Sequence, residues 1–193
     1  MREGVFMNYS KALRELHLMQ QNYAAFFSVT NKLQAQGDSY FEKLTSRQYM
    51  IMLAVAHLPE DDTTLINIAK ELGTSKQSAQ SLITNLEKKG YLITGASKRD
   101  KRAINVKITQ LGKQIMVECG EKVVTLMSDI FNNFTSDDLE TLWRLLKKLD
   151  SGKNEEQIGF EENVNYKFED QKGFQEAQIR ALNDFVSKRN ISE

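Results

Sequence analysis

Between Leu65 and Lys107 the spacing of apolar positions is helical over two segments and then changes period. Leu65, Ile68, Ala69 and Leu72 fall at i, i+3, i+4 and i+7, a short helix behind a Thr64 cap, and Gly73 supplies a turn. Thr74 with Gln77 three residues on reads as a capping box opening a second helix. In that helix Ala79, Leu82, Ile83 and Leu86 share one arc, while Lys76, Gln77, Gln80, Ser81, Thr84 and Lys88 hold the opposite side. Gly90 can end it, and the period then drops to two. Tyr91 to Thr94 reads as a strand, and a second follows at Ala103 to Ile108, where Ile104, Val106 and Ile108 alternate with Asn105 and Lys107. Between the strands, the loop Ala96 to Arg102 holds four cations and one acid. The pattern predicts a winged helix-turn-helix with a basic wing.

Helical spacing dominates the rest. Leu16, Met19, Tyr23, Phe26, Thr30 and Leu33 predict a long helix from Tyr9 to Gln36, broken by Gly37-Asp38-Ser39, with nothing before Tyr9 that predicts order. Its stripe, widened by Phe27 and Val29, needs more than one neighbour. Thr45-Ser46-Arg47-Gln48 is a capping box for a helix to His57, and Pro59 heads the acidic turn Glu60-Asp61-Asp62. Thr109 opens a helix to Phe134 with Leu111, Ile115, Cys119, Val123, Leu126, Ile130 and Phe134 on one seam. Thr135 caps the next helix, whose stripe is Leu139, Leu142, Leu145, Leu146 and Leu149. Ser151 to Lys172 reads as an acidic linker, and Gly173 to Lys188 recovers helical spacing. The last helix could pack back on the dimerisation helices, occupy a partner surface or stay mobile.

The fold class is therefore mainly α with a small β-hairpin wing. Its expected parts are an N-terminal dimerisation helix and connector at 1–44, the winged helix-turn-helix at 45–108, C-terminal dimerisation helices at 109–150, and an extension at 151–193.

Net charge is zero, so the total identifies no partner, but its distribution does. From Lys70 to Lys107 there are nine Lys or Arg against three acids, and between Gly73 and Gly95 only Glu87 is acidic. A basic block in an otherwise mildly acidic chain is an electrostatic footprint for phosphates. Gln, Ser, Thr and Lys on a free helix face can also bond base edges. The bland alternative is a solvated amphipathic helix beside an edge hairpin guarded by charge; the two features together favour DNA. The single cysteine excludes an internal disulfide framework and fits a reducing compartment. With no membrane-length apolar run and no signal core, the expected location is cytoplasmic.

The succession LTSRQYMIMLAVA, LINIAKELGTSKQSAQSLITNLEKKGYL, the Asp100-Lys101-Arg102 triplet and Ile108-Thr109-Gln110-Leu111-Gly112 resembles the MarR family of bacterial transcriptional regulators, over roughly residues 10 to 150. The resemblance implies a homodimer built by the terminal helices, bound to a pseudo-palindromic operator. It also implies repression relieved by a small molecule near the junction of the dimer and winged domains. Family members often carry Arg on the recognition helix where this chain has Ser81 and Asn85, which shifts the expected readout towards the wing.

The candidate DNA-binding residues are Ser75, Lys76, Gln77, Ser78, Gln80, Ser81 and Lys88 on the helix and Lys98, Arg99, Asp100, Lys101 and Arg102 in the wing. Gln77 and Gln80 suit bidentate bonding to adenine; Lys88 suits a phosphate; the orphan amides at Ser75 and Lys76 suit a phosphate at the helix N-terminus. Arg102 suits a narrow minor groove, oriented by Asp100. Half-sites about 34 Å apart fit a two-fold dimer. Tyr23, Phe26, Phe27 and Met50, with Trp143, could line an effector pocket, although aromatic residues on apolar stripes are more often core. Cys119 sits on a seam without a His or cation pair beside it, so a buried structural thiol is expected. Two distant histidines make no convincing metal cage, and no cofactor is expected. No phosphate loop, nucleophile elbow or metal-ligand cluster supports an enzyme. A winged helix serving as a protein-interaction module is the competing reading, separable by salt-dependent, sequence-selective DNA binding.

Overall fold

The computed structural model describes residues 3–96, 104–150 and 171–189. The order is α1 (Glu3–Tyr40), α2 (Ser46–His57), α3 (Leu65–Glu71), α4 (Lys76–Lys88), β1 (Leu92–Ala96), β2 (Ile104–Ile108), α5 (Gln110–Ile130), α6 (Ser136–Asp150) and α7 (Gln171–Arg189). The chain divides into two compact units, one ending at Gln36 and the other beginning at Gly37.

The first unit is helix throughout from Glu3, so order begins earlier than the apolar spacing suggests. Its large apolar side chains, among them Leu16, Met19, Tyr23, Phe26 and Phe27, are exposed. Tyr23 and Phe27 meet edge to face at 5.1 Å, one turn apart.

In the second unit, Gly37-Asp38-Ser39 does not break the helix, which runs on to Tyr40. A Cβ at Gly37 would lie 2.3 Å from Ser46 Oγ, so this glycine lets the end of α1 close on the start of α2. Asp38 Oδ1 accepts from Ser46 N at 2.6 Å beside the Thr45–Gln48 capping box of α2, which forms as expected.

The core lies under α4. Ile51 and Met52 of α2, Ile68 of α3, Ile83 and Leu86 of α4, Leu92 of β1 and Val106 of β2 are almost fully buried. Each such side chain contributes about 1.5–3 kcal/mol of gross burial energy. Ile115, Met116 and Cys119 of α5 close the same cluster. β1 and β2 pair antiparallel, Leu92 with Ile108 through Ala96 with Ile104. The turn before α3 adds a short third edge, where Thr64 bridges Asn105 and Val106 N donates to Thr63 O at 2.9 Å. That edge buries Asn105, which simple alternation places outward with Lys107.

α5 begins at the Thr109 cap and stops at Ile130 rather than continuing to Phe134. Gly112, in its first turn, lies where a Cβ would come within 2.2 Å of Tyr91 O. α6 is capped by a reciprocal pair: Asp138 N donates to Thr135 Oγ1 at 3.2 Å and Thr135 N to Asp138 Oδ2 at 3.0 Å. None of its residues is buried, so the leucine stripe has no full cover within the described chain. α7 packs back along α5, with Ala181 buried, Arg180 paired to Glu121 at 2.8 Å, and Arg189 donating to the carbonyls of Phe131 and Phe134. Arg189 thus adds a second donor to Phe131 O, which already accepts from Phe134 N at 3.0 Å, and a donor to Phe134 O.

Candidate nucleic-acid interface

α3 and α4 are joined by a tight junction in which Gly73 takes a positive φ of 57°. Thr74 N donates to Ala69 O at 2.9 Å and Gly73 N to Lys70 O at 3.0 Å, the paired bonds of a Schellman ending. Thr74 is therefore occupied in closing α3, and the cap of α4 falls one residue later than the Thr74–Gln77 reading. Ser75 Oγ accepts from Ser78 N at 3.1 Å and donates to Ser78 Oγ at 2.9 Å. With Ser75 as the cap, the open first-turn donors are those of Lys76 and Gln77 rather than Ser75 and Lys76. It also commits the hydroxyls of Ser75 and Ser78 to each other.

The rest of the α4 reading holds in its geometry. Ala79, Ile83 and Leu86 are buried and Leu82 is half-buried, while Lys76, Gln77, Gln80, Ser81 and Lys88 are exposed on the outer face. Gln80 Nε2 donates to Thr84 Oγ1 at 3.3 Å, laying that side chain along the helix axis. Gly90, with φ 75°, ends α4 by a second Schellman pair, Tyr91 N to Leu86 O at 3.0 Å and Gly90 N to Glu87 O at 2.8 Å. That turn feeds the chain directly into β1.

Three positioning contacts went unread in the sequence. Lys89 Nζ donates to Lys43 O at 2.8 Å and Gln48 Oε1 at 3.0 Å, clamping the end of α4 to the start of α2. Thr94 Oγ1 donates to Glu87 Oε1 at 2.6 Å, tying α4 to β1. Thr109 Oγ1 donates to Gly90 O at 2.7 Å, and Thr109 N to Tyr91 O at 3.0 Å, seating α5 on the turn between them. Each joins residues that only the folded chain brings close.

The basic block is thinner than a count suggests, since Lys89 is engaged and Lys107 pairs with Glu60 at 2.6 Å. Lys107 is held in its charged form above the usual lysine range by that hydrogen bond and the Glu60 charge. Lys76 and Lys88 remain on the outer face. Lys98, Arg99, Asp100, Lys101 and Arg102 lie outside the described residues.

Of the effector candidates, Tyr23, Phe26 and Phe27 are exposed on the first unit and Met50 is half-buried on α2 in the second. Trp143 is partly exposed, with Lys147 Nζ 5.3 Å from its ring centroid. Cys119 is buried, and burial pushes its thiol up to about 11. Among the described residues no group of three His, Cys, Asp or Glu side chains is arranged to hold a metal.

The fold and this face define the class: a winged helix-turn-helix protein with helical extensions. Residues 43–103 match the sequence model of the MarR family. Solved structures share the fold. A MepR–DNA complex from S. aureus superposes with TM-score 0.59 at 19% identity, covering 66% of this chain and 94% of that one. A MarR/EmrR family regulator from Acinetobacter sp. ADP1 gives 0.61 at 18%, covering 68% and 94%. A MarR mutant from E. coli complexed with operator DNA gives 0.54 at 23%, covering 75% and 97%.

Proposed function

We propose that the protein is a dimeric, sequence-specific DNA-binding transcriptional regulator, a repressor released by a small-molecule or other signal. The observation that carries the reading is the outer face of α4, a polar row of Lys76, Gln77, Gln80, Ser81 and Lys88 standing on buried Ala79, Ile83 and Leu86. A helix so mounted can enter a major groove with its N-terminal residues nearest the bases. Structures of the same fold include two bound to DNA, which supports the assignment. The family is one of regulators rather than enzymes.

Dimerisation is the part of the reading that the apolar surface supports. The exposed stripe of α1 and the uncovered leucines of α6 are too extensive to be left to water in a stable monomer. In a homodimer the two α4 helices would present themselves to successive major grooves of a pseudo-palindrome.

The test uses the full chain. Fragments selected from genomic DNA should yield a two-fold symmetric site, and fluorescence anisotropy should show affinity falling steeply between 50 and 200 mM salt, by about 10³-fold or more for six phosphate contacts. Equal affinity for scrambled DNA, or no salt dependence, overturns the DNA reading. Light scattering at micromolar concentration should give twice 22.2 kDa; a single-chain mass overturns the dimer.

A further inference from the structure

Where the hairpin meets the turn before α3 the fold leaves a cavity of about 130 Å³, lined by Asp61 of that turn and by Ile93, Thr94, Gly95, Ala96, Asn105 and Lys107 of the hairpin. Ile93 pairs with Lys107 and Gly95 with Asn105, so these four share one face of the sheet. Asn105 is only 5% exposed. Its Nδ2 donates to Glu60 O at 3.3 Å, while its Oδ1 is buried without a hydrogen-bond partner among the described residues.

That orphan is not an amide set the wrong way round. Turning the group over would press Oδ1 against the Glu60 carbonyl, acceptor against acceptor. The cavity therefore asks for a donor from outside the chain. It also favours positive charge. Lys107 is already neutralised by Glu60 at 2.6 Å, whereas Asp61 has no hydrogen bond among the described residues. An anion would meet an acceptor oxygen and a carboxylate, and Lys107, the one ammonium in the described lining, is already taken. Ile93 and Ala96 add an apolar wall.

We propose that this is a binding site for a small organic cation, an alkylammonium or guanidinium compound. Its donor would meet Asn105 Oδ1, its charge Asp61, and its carbon body Ile93 and Ala96. The volume equals about four waters at ~30 Å³ each, room for a compact molecule. Because the cavity spans the turn and both strands, an occupant fixes the posture of the hairpin on the core. Coupling of that posture to DNA affinity rests on the function proposed above; ligand binding itself does not.

The test is a ¹H–¹⁵N NMR titration of the full chain with methylguanidinium chloride at constant ionic strength, with neutral methylurea as control. Saturable shifts at Gly95, Asn105 and Lys107 are expected at millimolar ligand, with methylurea at least fivefold weaker. Asp61→Asn, on a half-exposed turn, should weaken methylguanidinium at least fivefold, and Asn105→Leu should abolish it if that variant folds. Unsaturable or scattered shifts, or unchanged affinity in Asp61→Asn, overturn the site and leave a cavity filled by water. If the shifts appear as expected but DNA affinity does not change on adding ligand, the site stands and its coupling falls. Absence of any DNA binding would overturn the proposed function without touching the titration.

Discussion

Thr94 Oγ1 donates to Glu87 Oε1 at 2.6 Å, so the one carboxylate between Gly73 and Gly95 faces the hairpin and is engaged there. A free acid on the outer face of α4 would repel phosphate. Bound to β1, the same group ties α4 to the hairpin.

Thr94→Val should keep the shape of the side chain and remove the bond. The contact is solvent-exposed, so the expected loss of stability is small, about 0.5–1 kcal/mol. Urea denaturation should show a lower midpoint with an unchanged slope. An unchanged midpoint would mean that the contact contributes nothing to folding.

Gly112 gives a sharper contrast. A Cβ there would lie 2.2 Å from Tyr91 O and 2.9 Å from Ile108 Cγ2, and neither the strand-entry backbone nor the branched side chain can step aside cheaply. Gly112→Ala should cost about 1–3 kcal/mol or more by overpacking. Gly120, in the same helix, has nothing within 4 Å of a built Cβ, so Gly120→Ala should instead gain about 0.5–1 kcal/mol from helix propensity. Thermal melts of the two variants should move in opposite directions; a shared direction would refute the packing argument.

What the sequence disclosed was local, and what it hid was contact between distant segments. The α4 arc was legible because one helix period separates Ala79, Ile83 and Leu86 from Gln77, Gln80 and Ser81 without help from any neighbour. The cap was misplaced by one residue because Thr74 and Ser75 are both good capping residues, and only the Schellman bond from Thr74 to Ala69 decides between them. Gly37 looked like a breaker because its task, letting α1 approach Ser46, belongs to the tertiary fold. Asn105 looked exposed because period-two alternation carries no knowledge of the turn at Glu60 to Thr64 that covers it. Lys89 and Lys107 entered the charge count as free cations for the same reason.

Cys119 should behave as a packing residue at neutral pH. Burial raises its thiol to about 11 from an ordinary 9.0, so the folded state favours the protonated form. Very little reactive thiolate exists near pH 8. Iodoacetamide should label the native chain far more slowly than the urea-unfolded chain. The sign for stability follows: an unfolded thiol ionises first, so this group's contribution is intact below pH 9 and declines as pH rises from 9 towards 11. Native labelling as fast as unfolded labelling would reveal an accessible, activated thiol instead.

The DNA reading separates residues by what each variant should lose. Gln77 stands in the first turn of α4 with its side chain exposed, where the proposed function has it bond a base edge, whereas Lys88 stands near the other end and would offer only charge. Gln77→Ala should cost about 1–3 kcal/mol against the selected operator and almost nothing against scrambled DNA. Lys88→Ala should weaken both by a similar factor and reduce the slope of log affinity against log salt by about 1. Arg102→Ala should weaken binding strongly while leaving the melting temperature nearly unchanged, as expected for a minor-groove contact made by the wing. Anisotropy titrations of the three variants at two salt concentrations decide between base reading and simple attraction. If Gln77→Ala and Lys88→Ala lose affinity alike on operator and scrambled DNA, α4 acts as a charged surface and does not read sequence.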